Sequence, residues 1–167
     1  GIVSRGYGGQ FKKTLKVTVE TSVKETGDEA QILSKLGIPF YIDKNRVRAV
    51  KELLKNNDCD VILSDDGLQH YKMGRNIEIA VIDGKRRFGN NLTFPAGPLR
   101  ESKNRLKTVD FVVNNSGPTD EGEYLMSISP TKFVHLKSGK SYSVENWPMH
   151  NQVHAVAGLG NPGRFFD

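Results

Sequence analysis

The chain has 167 residues, 37% hydrophobic and 26% charged, a globular composition long enough for one domain with a real core. No apolar run approaches the length of a bilayer span and no secretory signal is visible. The single cysteine, Cys59, excludes an internal disulfide and a multi-cysteine metal site, so a reducing cytoplasm is expected. The net charge of +5 favours anionic partners, whether nucleotides, phospholipid surfaces or nucleic acid.

Ile2 and Val3 read as the end of a strand, and Ser4-Arg-Gly-Tyr-Gly-Gly9 as the loop that follows. Its glycines permit close backbone approach to a ligand and Arg5 offers a planar fork for phosphate, although a flexible connector with a solvated arginine would look the same. A second strand is predicted near Leu15–Val19. Thr26 and Glu29 have the spacing of a capping box, with Ala30, Ile32, Leu33 and Leu36 as the apolar stripe of the helix and Gly37 as its stop. Asp28 falls in the first turn. There it either complements the helix dipole or serves as a general base toward a hydroxyl nucleophile. Asp43 is expected to cap a helix over Lys44–Lys55, with Val47, Val50, Leu53 and Leu54 inward and Arg46, Arg48 and Lys51 on its polar sides.

The stretch from Asp58 to His70 is the centre of the chain. Val61, Ile62 and Leu63 predict a buried strand of a parallel sheet that ends at Asp65-Asp-Gly67, and the helix before it gives a βαβ rhythm. Ligands of open α/β sheets bind at such carboxyl ends. Asp65 and Asp66 therefore suit a Walker B-like Mg²⁺ site, while Ser-Asp-Asp-Gly is also good tight-turn chemistry. His70 is the histidine placed to act here; His135, His150 and His154 show no metal-ligand spacing. Beyond it, Ile77–Ile82 predicts another strand, and Lys85-Arg-Arg87 at its mouth is either a solvated face or an anion site. Phe94–Glu101 is stiff and rich in turn residues, a short helix is expected over Glu101–Lys107, and Asp110–Val113 is the next strand. Tyr124–Ser129, Thr131–Leu136 and Tyr142–Val144 read as short strands of antiparallel edge material or a small subdomain. Gln152–Ala157 returns to a core pattern. Gly158-Leu-Gly-Asn-Pro-Gly163 has the spacing of a dinucleotide fingerprint but not its βαβ context, and Asn161 as N-cap with Pro162 in the first helical position explains it more simply. The expected divisions are a core α/β domain over 1–115, a short β-rich subdomain or hinge over 116–150, and the start of a second α/β subdomain over 151–167.

Taken in order, SRGYGG, GDE, DDGLQH, IDGKRRFGN, PAGPLRE and GLGNPGRFF closely resemble strings of the tetraacyldisaccharide 4′-kinase family of lipid A synthesis in Gram-negative bacteria. The resemblance spans nearly the whole chain and is weakest over Ser116–Pro148. It implies an α/β fold with a P-loop NTPase-like, mostly parallel sheet flanked by helices and a small β-rich segment towards the C-terminus. It also implies transfer of the ATP γ-phosphate to the 4′-hydroxyl of a tetraacyldisaccharide 1-phosphate, with Mg²⁺; the sequence does not fix the oligomeric state, and a monomer is the default expectation. Such a protein sits peripherally on the cytoplasmic face of the inner membrane and needs no nucleic acid. Carried over by motif, Asp65 and Asp66 are the metal carboxylates, with Asp66 also catalytic, and Asp28 is the base. Tyr7, Arg46, Gln69, Arg100 and Glu101 then line the nucleotide region.

The family's Gly-Gly-x-Gly-Lys-Thr string, its membrane-associating amino-terminal helix and its downstream histidine partner of the base have no counterpart in these 167 residues. The expectation is an internal fragment that is inactive alone. Two rivals stay open: another P-loop phosphotransferase, favoured if PAGPLRE lies far from Asp65 and Asp66, and a non-catalytic basic module that uses Lys85–Arg87 on polyanions.

Overall fold

A computed structural model describes residues 1–148, 153–158 and 163–166. In chain order these form β1 (Ile2–Ser4), β2 (Leu15–Lys16), α1 (Val23–Thr26), α2 (Asp28–Ser34), β3 (Phe40–Ile42), α3 (Arg46–Asn56), β4 (Leu63–Ser64) and β5 (Ile79–Asp83). A 3-10 helix (Lys103–Thr108), β6 (Phe111–Asn115), β7 (Glu123–Met126), β8 (Lys132–Val134), β9 (Ser141–Ser143) and α4 (Gly163–Phe166) follow.

The first sheet has the order β2-β3-β1-β4, with β1 parallel to both neighbours and β2 antiparallel at one edge. Strand residues alternate between faces, so β1 and β3 feed two cores. Ile2, Phe40 and Ile42 pack with Val17 and Ala30 on one side; Val3 and Tyr41 pack with Ala49 and Leu53 of α3 on the other. Burial on both faces is what a parallel α/β sheet with covering helices requires. A second sheet runs β5-β6-β7, parallel throughout, and β8 and β9 form a separate antiparallel hairpin.

Several local expectations change. Val61–Leu63 is not a buried central strand: β4 is a two-residue edge strand, Val61 and Leu63 are 65% and 60% exposed, and Ile62 alone of the three packs on the α3 core. An edge strand has a neighbour on one side, and here a single face is covered. The capping box at Thr26 does not form, because Thr26 ends α1 and its buried hydroxyl donates to the carbonyls of Ser22 and Gly27. Gly27 is the N-cap of α2 instead, with φ near +83°, and Ile32 and Leu36 face outward while Ala30 and Ser34 are buried. Asn45, not Asp43, caps α3 by accepting from the Val47 N–H. Asp43 is buried and takes hydrogen bonds from Thr14, the Asn45 N–H and the Arg48 fork.

In the second sheet, β7 lies parallel on β6 rather than in antiparallel edge material. Val153 to Gly158 form no strand, and Val153 and Val156 are exposed. Asn161, Pro162, Gln152 and His150 lie outside the described residues. Among the described residues, no helix is long and apolar enough to cross a membrane.

Candidate functional site

β1, β3 and β4 are parallel, so their carboxyl ends open on one edge of the sheet. Ser4 and Arg5 leave β1 there, Lys44 follows β3, and Asp65 and Asp66 follow β4. Together with Tyr7, Glu29, Arg46, Gln69, His70 and Arg100 they line a cleft of about 790 Å³. This is the place where open α/β sheets bind ligands.

The Asp65–Leu68 turn is held by its backbone. Asp65 N–H donates to the Val3 carbonyl, which ties the turn to the end of β1. Arg46 Nη2 donates to the carbonyls of Asp65 and Asp66 at 3.1 and 2.8 Å, and Arg75 Nη1 donates to those of Gly67 and Leu68, both at 3.0 Å. Four successive carbonyls are thus fixed by two guanidinium groups, and the aspartate side chains are left to face the cleft. Asp66 has φ near +46°, a left-handed conformation that an aspartate tolerates better than most residues. Arg46, expected on a solvated helix face, is 5% exposed. Burial lowers its basicity while Asp66 and Asp65 pull it back, and its Nε has no partner.

Two cross-links join this turn to the Phe94–Glu101 segment. Arg100 Nη1 lies 3.0 and 2.9 Å from the two Asp66 carboxylate oxygens, and Gln69 Nε2 donates to Glu101 Oε2 at 2.7 Å. DDGLQH and PAGPLRE therefore share one site, and the separation that would have favoured an unrelated phosphotransferase is not found.

The glycine loop after β1 meets its own chain rather than open space. A side chain at Gly9 would collide with the carbonyls of Glu25 and Thr26, and one at Gly27 with the carbonyl of Tyr7. The loop is pinned to the α1–α2 corner, and Tyr7 is left 76% exposed over the cleft.

His70 enters with its Nε2 buried and unpartnered. Burial and the nearby charges of Arg46, Arg75 and Lys72 push its pKa down from the ordinary imidazole value. Asp28 is exposed in the first turn of α2 and is not among the lining residues, whereas its neighbour Glu29 is. The sequence pattern gave Glu29 a helix-capping role and Lys44 the start of a helix, and neither a place in the site; the position of Lys44 two residues after the end of β3 is what brings it to the cleft. Of the basic run, Arg87 pairs with Glu123 and Asp120.

Four cationic side chains (Arg5, Lys44, Arg46 and Arg100) face three carboxylates (Glu29, Asp65 and Asp66) across this cleft. That mixture suits a phosphate group accompanied by a divalent cation. Among the described residues no group of three or more acidic, histidine or cysteine side chains is arranged as an all-protein metal cage. Mg²⁺ is ordinarily held by one or two carboxylates completed with water and phosphate oxygens, and Asp65 with Asp66 fits that mode.

The family model described as Tetraacyldisaccharide-1-P 4'-kinase matches residues 1–167. A tetraacyldisaccharide 4'-kinase from Ruthia magnifica subsp. Calyptogena magnifica is 48% identical over 169 residues, which cover 100% of this chain and 53% of that protein. One from Shewanella frigidimarina is 45% identical, covering 100% of this chain and 49% of its own length. The chain spans about half the length of the curated relatives it matches. Among solved structures, the crystal structure titled "apo" form LpxK from Aquifex aeolicus in complex with ATP superposes with a TM-score of 0.66 at 27% identity, over 75% of this chain and 43% of that one.

Proposed function

The chain belongs to the tetraacyldisaccharide-1-P 4'-kinase family, and on that premise we propose that it serves transfer of the ATP γ-phosphate to the 4′-hydroxyl of a tetraacyldisaccharide 1-phosphate. The observation that carries this is the convergence on one strand-end cleft of Asp65, Asp66, Arg46 and Arg100. Phosphoryl transfer needs positioned phosphates, neutralised charge and an oriented hydroxyl, and little covalent chemistry from the protein.

In this reading Asp65 and Asp66 hold Mg²⁺, which supplies charge neutralisation on the phosphates. Arg46 sets the two aspartates through their carbonyls. Arg100, now on Asp66, supplies a guanidinium to the transferring group. Tyr7, Gln69 and Glu101 shape the nucleotide side of the cleft. Asp28, at the first turn of α2 beside the cleft-lining Glu29, accepts the proton of the sugar hydroxyl. With a lipid as acceptor, the working place is the cytoplasmic face of the inner membrane, reached peripherally.

The test is transfer of labelled phosphate from ATP to the disaccharide lipid by the protein that carries these 167 residues. Asp66→Asn is expected to lower turnover by roughly 100-fold or more. Asp28→Asn is expected to lower kcat by about 10²–10⁴-fold while leaving nucleotide affinity unchanged. Wild-type turnover from both variants would overturn the proposal.

A further inference from the structure

Glu78 lies outside the cleft, immediately before β5, and is not among its lining residues. Its carboxylate is nevertheless bonded to both loops that form the cleft wall. Oε1 receives Arg75 Nε at 2.9 Å and Arg105 Nη2 at 2.5 Å. Arg75 is the residue whose Nη1 holds the Gly67 and Leu68 carbonyls, directly after Asp65 and Asp66. Arg105 belongs to the 3-10 helix that begins two residues after Glu101. The three side chains are 20%, 13% and 19% exposed, so water screens their attraction only in part. The backbone of Glu78 is fixed as well. Its N–H donates to Asp110 Oδ2, and its carbonyl accepts from the N–H groups of Asp110 and Phe111 at the start of β6.

We propose that Glu78 is a positioning residue, which through Arg75 and Arg105 sets the Asp65–Leu68 turn and the Arg100–Glu101 segment at the separation where Asp66 meets Arg100 and Gln69 meets Glu101. The two direct cross-links are between exposed side chains: Arg100 and Asp66 are each 66% exposed. Exposed pairs of that kind are weak and do not hold two loops by themselves. The less exposed Arg75–Glu78–Arg105 group sits behind them and is anchored to the second sheet. Its strong pairing is consistent with a Glu78 carboxyl held below its ordinary range, chiefly by the Arg105 hydrogen bond. The cleft thereby takes its shape from a carboxylate that touches no ligand, as partners behind a metal site commonly orient the groups in front.

The ligand side of this inference rests on the proposed function; the structural side needs no ligand. Glu78→Gln keeps the size and one acceptor but removes the charge. Hydrogen exchange followed by mass spectrometry on the ligand-free protein is expected to show faster exchange in 65–70 and 99–108 together, with β1, β3 and α3 unchanged. Exchange that rises everywhere would mean global destabilisation, and exchange that rises in neither loop would mean no clamp; either overturns the proposal.

The second measurement is Mg²⁺–ATP binding in two double-mutant cycles. Glu78→Gln alone is expected to weaken binding by roughly 10-fold. Combined with Arg100→Gln it is expected to weaken it by clearly less than the product of the single effects, because both act on the same loop arrangement. Combined with Arg5→Gln, on the separate loop that follows β1, the effects should multiply. Multiplication in both cycles would refute the positioning role. A wild-type protein that binds no nucleotide would refute the functional reading and leave the exchange result to decide on the clamp.

Discussion

Asp66 and Arg100 are each other's partner in the ligand-free cleft, and both are groups that an incoming metal–phosphate would engage. On the proposed reading, binding would exchange partners, the Asp66 carboxylate turning to the cation and the Arg100 guanidinium to the phosphate. Arg100→Gln removes the competitor for Asp66 together with a positive charge. It should raise affinity for a divalent ion alone severalfold while lowering affinity for the nucleotide. Mn²⁺ titration followed by electron paramagnetic resonance reads the first effect and nucleotide titration the second; changes of the same sign in both would contradict the exchange. Gly27 is a second residue on which the site depends. Its φ of +83° and its contact with the Tyr7 carbonyl leave no place for a methyl group. Gly27→Ala should cost at least about 1–3 kcal/mol in chemical unfolding and should shift Tyr7 over the cleft.

At the scale of elements, β6 and β7 are joined by an ionic and amide network as well as by the edge-to-face contact of Phe111 with Tyr124. Glu123 at the start of β7 receives the Arg87 fork, the fully buried Asn114 of β6 and the Asp120 N–H. The Arg87 hydrogen bonds are the main reason that its pKa is held down to about 2, with burial opposing them. Because the folded value lies below the unfolded one, the pairing stabilises the fold fully above the ordinary carboxylate value of 4.5 and is lost as pH falls towards about 2. Unfolding midpoints should therefore fall across that window in the wild type and fall less in Glu123→Gln, with the two curves converging at the acid end. Parallel curves would remove Glu123 from the account. The same network explains the fate of the basic run. The charges of Lys85–Arg87 were legible in the sequence, but whether Arg87 met an anionic ligand or an internal carboxylate depended on β7, more than thirty residues away, lying parallel beside β6.

At the scale of the molecule, the two sheets leave apolar side chains open to solvent. Val61 just before β4, Leu63 on β4, and Ile79 and Val81 on β5 are all more than half exposed. Exposed apolar side chains on a strand offer a surface for apolar molecules. The 167-residue chain, prepared alone, should bind an environment-sensitive apolar dye, and the double variant Leu63→Ser, Val81→Ser should reduce the signal with little change in thermal midpoint. An unchanged signal would place the dye elsewhere.

By itself the sequence determined the α/β alternation, because β-branched runs, helical stretches and strand-ending Asp–Gly turns are local patterns read over a few residues. It also determined the family, since DDGLQH and PAGPLRE are distinctive wherever they fold. The tertiary structure alone decided that these strings meet, through Asp66 with Arg100 and Gln69 with Glu101. It also turned Arg46 inward from an apparently polar helix face, and it made Val61–Leu63 an edge rather than a centre. The reason is common to all three. Periodicity states which side chains share a face, but what covers that face, and which charge stands opposite, is set by segments tens of residues away.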